Sequence, residues 1–294
     1  MNALLLRLVA RVLGLLPLRL LHALAVPLGR LLGWLPWRKH AVVRRNLEVC
    51  FPALEPPARK DLERRQRVEL LRLASELGAL AHWDAQRLDR HIRITQGWQH
   101  VEAALREQRG LLLVSGHLGN WEILNLEMSR RFPMTTLYLA PTDPAVDRFI
   151  TRARSRFGGK MVASGGTALR QLIRQLREGG GVGIAADIQP KQGEGVFAPF
   201  FGQPALTMTL VNRLARKTGC AVVFCWAERR PRGLGWDLSF TPASSAIAGE
   251  APAEALTEMN EWLVDSIRQA PAQYLWIYKR FSRRPPGEPR FYAY

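Results

Sequence analysis

Cysteine is scarce in this 294-residue chain: only Cys50, Cys220 and Cys225, with no C-x-x-C pair. An odd, scattered set supports neither a disulfide framework nor a thiolate zinc site, and it fits a reducing compartment. The six histidines never adopt H-E-x-x-H spacing, so no metal centre is expected. Neither G-x-x-x-x-G-K-[ST] nor G-x-S-x-G occurs, which removes the P-loop and the serine-hydrolase elbow. No cofactor is expected. The run "GGGVG", Gly179 to Gly183, follows a helical pattern and precedes a strand pattern, the reverse of a dinucleotide fingerprint. It reads as a helix cap and turn. Repeats and low-complexity tracts are also missing. Acidic residues are few, 25 Asp+Glu against 42 Lys+Arg, for a net charge of +17.

That excess asks for an acidic partner: nucleic acid, an anionic membrane, or an acidic protein or substrate. The basic residues lie beside Leu, Trp and Pro runs and form no recognisable nucleic-acid module, so nucleic acid is not expected.

The first 37 residues are rich in Leu, Ala and Val, but Arg7, Arg11, Arg19 and Arg30 interrupt them. No uncharged stretch is long enough for a clean transmembrane helix, and no A-x-A-like cleavage site follows. On an ideal helix the four arginines fall within an arc of about 140°, and His22 falls in the same arc. One apolar and one basic face is the pattern of a helix lying in a membrane interface. Pro17 and Pro27 are expected to kink or split it. Residues 1–50 carry eight Lys/Arg and one Glu, a net of +7 that anionic lipid favours. They are read as a membrane-associating helical segment, and 51–294 as a single α/β domain.

The reading of the second part rests on alternation. Short apolar runs at 111–115, 136–139, 183–186 and 221–226 are separated by helical patterns at 98–108, 120–131, 144–157, 167–178 and 207–218. This predicts a largely parallel central sheet flanked by helices, with its site beyond the carboxyl ends of strands.

"LLLVSGHLGNWEILN", Leu111 to Asn125, sits at one such seam. A spacing of five sets His117 and Glu122 about 140° apart on a helix, so they share no helix face. They can meet if His117 occupies the turn before a helix that carries Glu122, with Asn120 as N-cap. Glu122 would then fix the imidazole tautomer and leave the other nitrogen to take a proton from a hydroxyl. The bland alternative is a turn histidine beside a surface carboxylate. No Ser or Cys nucleophile motif lies nearby, which favours direct attack by an activated alcohol.

"GHLGNWE" resembles the H-x-x-x-x-[DE] signature of the lysophospholipid acyltransferase superfamily. With "GNW" inside, it is similar to the bacterial late acyltransferases of lipid A biosynthesis, the lauroyl/myristoyl type. Four more blocks follow in that family's order. They are "RRNLEVCFP" (44–52), "DPAVDRFITRARSRFG" (143–158), "DIQPKQGEGVFAPFFGQPALTMT" (187–209) and "PAQYLWIYKRFSRRPPGE" (271–288). Two positions depart from the family pattern: Leu139 stands where arginine is usual and Tyr278 where histidine is common.

The resemblance implies a glycerolphosphate-acyltransferase-like fold and acyl transfer from acyl carrier protein to the hydroxyl of a 3-hydroxyacyl chain on a lipid A precursor. It makes His117 the general base and Glu122 its orienter. The basic-apolar first segment and the reduced-looking cysteines set the protein among inner-membrane lipids on the cytoplasmic face. Arg148, Arg152 and Arg156 recur every four residues, one stripe if helical, and alone read equally as a solvated face. The family pattern selects Arg154 and Arg156 as contacts to phosphate or sugar acid. It sets Asp187 at the edge of the site. "VFAPFFG" reads either as acyl-pocket lining or as core. Two rival readings remain: an acyltransferase for a lysophospholipid or another glycolipid or aminolipid, and a basic membrane-bound protein without catalysis.

Overall fold

The computed structural model describes residues 3–33, 37–191 and 193–292. Of the expected N-terminal segment, residues 1, 2 and 34–36 lie outside the described residues. So do Gln192 of the block at 187–209 and residues 293–294.

Four helices come first: α1 (Ala3–Leu15), α2 (Leu18–Leu32), α3 (Arg38–Cys50) and α4 (Pro56–Leu80). Pro17 separates α1 from α2, which bend by 119°. The arginine arc expected on one continuous helix is therefore divided between two axes. Pro27, expected to kink or split the segment, lies inside α2. His22, expected on the basic arc, is buried instead.

The remainder alternates: α5 (Ala85–Asp89), β1 (Ile92–Gln96), α6 (Trp98–Arg106), β2 (Leu111–Ser115), α7 (Trp121–Arg131), β3 (Met134–Tyr138), α8 (Pro144–Arg154), β4 (Lys160–Ala163), α9 (Ala168–Arg177) and β5 (Gly181–Ala185). A hairpin of β6 (Gly195–Phe200) and β7 (Gln203–Met208) leads to α10 (Leu210–Thr218), β8 (Ala221–Arg229), β9 (Trp236–Pro242) and α11 (Pro252–Gln269). The main sheet has seven strands in the order β1-β9-β8-β2-β5-β3-β4. Its pairs are parallel except β8 with β9. The chain is thus α/β with a mostly parallel sheet, as its alternation predicts.

Strand β2 explains why such strands read as unbroken apolar runs: all five residues are buried. Leu111 and Leu113 pack on one side with α2, α4, α6 and α7, and Leu112 and Val114 on the other with α9, α10 and α11. The glycine run behaves as read: Gly179, at φ +78°, follows the end of α9, and β5 begins at Gly181. The two-residue hairpin turn has positive φ at both Phe201 and Gly202, the twist that suits antiparallel strands.

A buried polar cluster ties the first helices to the sheet. Arg229, at the end of β8, donates from Nε and Nη2 to the two oxygens of Glu76 on α4, at 2.5 and 2.6 Å, and from Nη1 to Glu69 at 2.8 Å. His22 Nε2 of α2 meets Glu76 Oε1 at 2.6 Å, and Asn120 Nδ2 donates to Oε2 at 2.8 Å. Burial opposes ionisation of Glu76, yet the charge and hydrogen bonds of Arg229, with the His22 bond, hold its carboxyl down at about 2. Glu76→Gln leaves a buried guanidinium short of counter-charge and should cost about 3–5 kcal/mol in urea denaturation. A folded pKa below the unfolded value gives stabilisation that is complete above about pH 4.5 and lost as pH falls toward 2. The gap between wild type and variant should therefore close over that window. A constant gap would show that Glu76 does not carry it.

Candidate active site

The ladder between β2 and β5 runs in register from Leu111↔Gly181 to Ser115↔Ala185. Past the strand ends the same offset continues. Ala186 N donates to Ser115 O at 2.8 Å, and two residues beyond Ser115 the His117 amide donates to Asp187 Oδ2 at 2.9 Å. The imidazole Nδ1 of His117 sits 2.7 Å from Asp187 Oδ1. Both residues are buried and lie beyond the carboxyl ends of parallel strands, where open α/β sheets bind ligands.

The turn after His117 is fastened from three directions. Leu275 N donates to His117 O at 3.0 Å, Gly119 N to Gln273 O at 3.2 Å, and Asn120 N to Ala227 O at 3.0 Å. Gly119 has φ +62°, and a Cβ there would lie 2.0 Å from Ala227 O, so the turn requires glycine. Asn120 caps α7 as the sequence indicates, its side-chain oxygen accepting from the amides of Glu122 and Ile123.

Glu122 does not accept from the imidazole as expected. It enters α7 on the side facing α8 and binds Arg154, which donates from Nε at 2.8 Å and from Nη2. Trp121 Nε1 donates to it at 3.1 Å. The strand register gives His117 to Asp187, and the helix direction gives Glu122 to Arg154. Glu122 still reaches the histidine indirectly, because the Trp121 ring packs edge-on against the imidazole at 4.6 Å. Tyr278 covers a second side at 5.3 Å and is 41% exposed. With Nδ1 engaged, Nε2 is the nitrogen left for a substrate.

Asp187, expected at the site edge as a substrate contact, lies beneath His117. Burial opposes its ionisation, but the adjacent His117 charge, the two His117 hydrogen bonds and Arg280 hold its carboxyl below the usual range. Burial beside Asp187 pushes the Tyr274 hydroxyl well above its ordinary value. Arg280 is itself buried, donating to Leu206 O at 2.6 Å and Thr207 Oγ1 at 2.7 Å. Burial lowers its pKa against the raising effect of Tyr274 and Asp187. Neither Tyr274 nor Arg280 was singled out from sequence, although both fall inside the block at 271–288.

The arginine block separates. Helix α8 ends at Arg154, so the expected stripe stops at Arg152 and Arg156 lies past the helix. Arg154 is committed to Glu122. Arg156 packs over Phe157 at 4.4 Å, with Nε and Nη2 buried and unpartnered. Burial pushes it down to about 10. Of the aromatics in "VFAPFFG", Phe200 is core, and Phe201 packs at its edge against Phe51 and Trp276.

A histidine fixed by one carboxylate at the ends of parallel strands leaves one imidazole nitrogen open where α/β sheets bind ligands. The chain belongs to the family of bacterial lipid A biosynthesis acyltransferases, which it matches over residues 3–283. It is 28% identical to the lipid A biosynthesis lauroyltransferase of Escherichia coli K12 over 278 residues, 94% of this chain and 90% of that protein. It is 28% identical to the palmitoleoyltransferase of the same organism over 256 residues, 87% of this chain and 82% of that protein. It is also 29% identical over 175 residues to a phosphatidylinositol mannoside acyltransferase of Mycobacterium tuberculosis H37Rv, covering 58% of this chain and 53% of that protein.

Because Glu122 and Arg154 form one bidentate pair, Glu122→Gln, Arg154→Ala and the double variant should be strongly non-additive. A coupling of about 1–3 kcal/mol is expected from denaturation of the four proteins. Additive losses would mean that the two side chains act apart.

Proposed function

We propose that this chain transfers a fatty acyl group from an acyl carrier protein thioester to the hydroxyl of a 3-hydroxyacyl chain on a lipid A precursor. The observation that carries the reading is His117, held at Nδ1 by Asp187 and left with Nε2 for substrate, in a chain that matches the lipid A acyltransferase family nearly end to end. His117 Nε2 takes the hydroxyl proton as the oxygen attacks the thioester carbonyl. The tetrahedral intermediate collapses, the C–S bond breaks, and the carrier's sulfur leaves with the proton from the imidazolium. The products are an ester and a free thiol. Asp187 holds the tautomer and stabilises the imidazolium. Glu122, the expected orienter, acts through Trp121 and anchors Arg154.

The anionic acceptor is assigned to Arg156 ahead of Arg154, since Arg156 has unpartnered nitrogens and Arg154 is neutralised by Glu122. The net charge of +17 supports encounter with an acidic carrier protein. The match to a phosphatidylinositol mannoside acyltransferase supports a second acceptor class, another anionic glycolipid. Mass spectrometry of lipid A from a deletion strain separates them: loss of one secondary acyl chain supports the first, and an unchanged profile the second.

His117→Ala should lower kcat by about 10²–10⁴-fold, as loss of a general base does. Asp187→Asn should approach it, while Glu122→Gln keeps more activity because it does not touch the imidazole. Steady-state kinetics with acyl carrier protein thioester test the order. Near wild-type turnover by His117→Ala would end the assignment.

We place the protein on the cytoplasmic face of the inner membrane, held by α1 and α2. No single described helix is long and apolar enough to cross a membrane, though the bent pair α1–α2 qualifies by length and composition. Leu8, Val12, Leu24 and Leu28 point outward, 46–59% exposed. Replacing these four with glutamine should move the protein to the soluble fraction with its fold intact by circular dichroism. Continued sedimentation with membranes would place the contact elsewhere.

A further inference from the structure

At the elbow between α1 and α2 lies a cleft of about 490 Å³, away from the His117 turn. Its walls are the end of α1, the first turn of α2, the α5–β1 connection and the loop between β8 and β9. They bring together Arg19, Arg87, Arg90 and His91. No carboxylate pairs with Arg19, Arg87 or Arg90 among the described residues. Arg87 is fixed by carbonyls: it donates to Gly14 O and Leu16 O, both at 2.6 Å, and stacks over Trp83 at 4.3 Å. Its charge is therefore positioned but not cancelled. Asp84, the acid whose charge acts on Arg87, caps α5 by accepting from the Arg87 amide at 2.7 Å, and Asp89, just before Arg90, accepts from Arg130 at 2.8 Å. Arg230 shares Asp237 with Arg93 and so brings no free anion to the cleft. Burial and the charges of Arg87, Arg90 and Arg230 hold His91 below its usual range, despite its bond to the Arg87 carbonyl. The arginines around His91 thus make its surroundings positive, and among the described residues no carboxylate forms an ion pair with Arg19, Arg87 or Arg90.

Apolar surface adjoins it. Leu15 and Leu234 line the same cleft and are 77% and 41% exposed. Leu15 continues the outward row of Leu5, Leu8 and Val12 on α1, which faces away from the core. A ligand suited to this place carries a phosphate for the guanidinium groups and hydrocarbon for the leucines. Guanidinium matches phosphate oxygens bidentately.

We propose that the α1–α2 elbow cleft binds the phosphate headgroup of an anionic membrane lipid through Arg19, Arg87 and Arg90, with Leu15 and Leu234 against its acyl chains. Neither His117 nor Arg156 lines this cleft. The site rests on the membrane reading of α1 and α2 given above, and it turns a general affinity for anionic surfaces into recognition at one point. A lipid held there fixes the depth and rotation of the elbow in the interface.

The test uses the full chain and vesicles of phosphatidylcholine, alone or with 30 mol% phosphatidylglycerol. Arg19→Gln/Arg90→Gln should lose about thirtyfold of the extra affinity given by phosphatidylglycerol, near fivefold per arginine. Binding to phosphatidylcholine and acyl transfer to detergent-dispersed acceptor should be unchanged. Arg170→Gln/Arg177→Gln removes the same charge from α9, on the opposite side of the sheet, and should lose no more than about threefold. Equal losses by the two doubles would mean net charge alone acts, and would overturn the site. Wild type that binds neither vesicle would instead remove the membrane reading and the proposal with it. Soluble dihexanoyl phosphatidylglycerol should raise the melting temperature of wild type but not of Arg19→Gln/Arg90→Gln. Inorganic phosphate stabilising wild type as strongly would mark a free-anion site and overturn the lipid assignment.

Discussion

The parallel pairing of β2 with β5 is the constraint on which the site depends. Every paired residue on β5 stands 70 positions beyond its partner on β2, and the same interval separates Asp187 from His117. Strand β2 is buried throughout and β5 buries Val182 and Ile184 on one face, so neither can slip by one residue without turning its side chains to the wrong layer. The apolar residues of the two strands therefore also decide which carboxylate meets the histidine. Two hydrogen bonds from one residue to one carboxylate, through the amide and the imidazole, then leave the ring little freedom to turn away.

The buried cluster around Glu76 carries this constraint to the N-terminal helices. Glu76 touches α2 through His22, β8 through Arg229 and the cap of α7 through Asn120. Buried charges of this kind are tolerated only when each is matched, so the group stands or falls together. Helices α1 and α2 are consequently more than a detachable anchor. Leu18 and Leu21 of α2 belong to the same packed layer as Leu111 and Leu113 of the central strand. A segment proposed to meet the membrane on one face is, on its other face, part of the wall behind the His117 turn.

The sequence showed most where burial is symmetrical. Leu111–Ser115 is legible because all five residues are apolar or small and buried. Strands β1 and β4 were missed because edge strands are half exposed and carry charge, as in "IRITQ" and "KMVA". The seam at His117 was legible from Gly116, Gly119 and Asn120, since turn and cap chemistry is local. The partner of that histidine was not, because it is chosen by a register between distant strands. The signal was present in Asp187 at the end of "GVGIAAD", one strand away, but using it requires knowing that β2 and β5 are neighbours. Pro17 was read correctly as a break. The basic arc failed because it assumed one axis where there are two.

The same distinction applies to charge. A net of +17 describes the chain but not the field any ligand meets. Arg229 is spent on Glu76 and Glu69, Arg154 on Glu122, Arg130 and Arg131 on Glu127, and Arg93 on Asp237. These pairs hold elements together and, where buried, feel little of the surrounding salt. What remains for partners is the set left without a carboxylate, and part of it is concentrated in two places. Arg156 follows α8, close enough to Asp84 and His82 to feel their charge, and Arg19, Arg87 and Arg90 gather at the elbow where apolar side chains are also exposed. Unpaired cations beside exposed hydrocarbon match a molecule that is both anionic and fatty. Both features follow from composition: with few acids available, Glu76, Glu69 and Glu122 are committed to Arg229 and Arg154, and Arg19, Arg87 and Arg90 are left without a carboxylate.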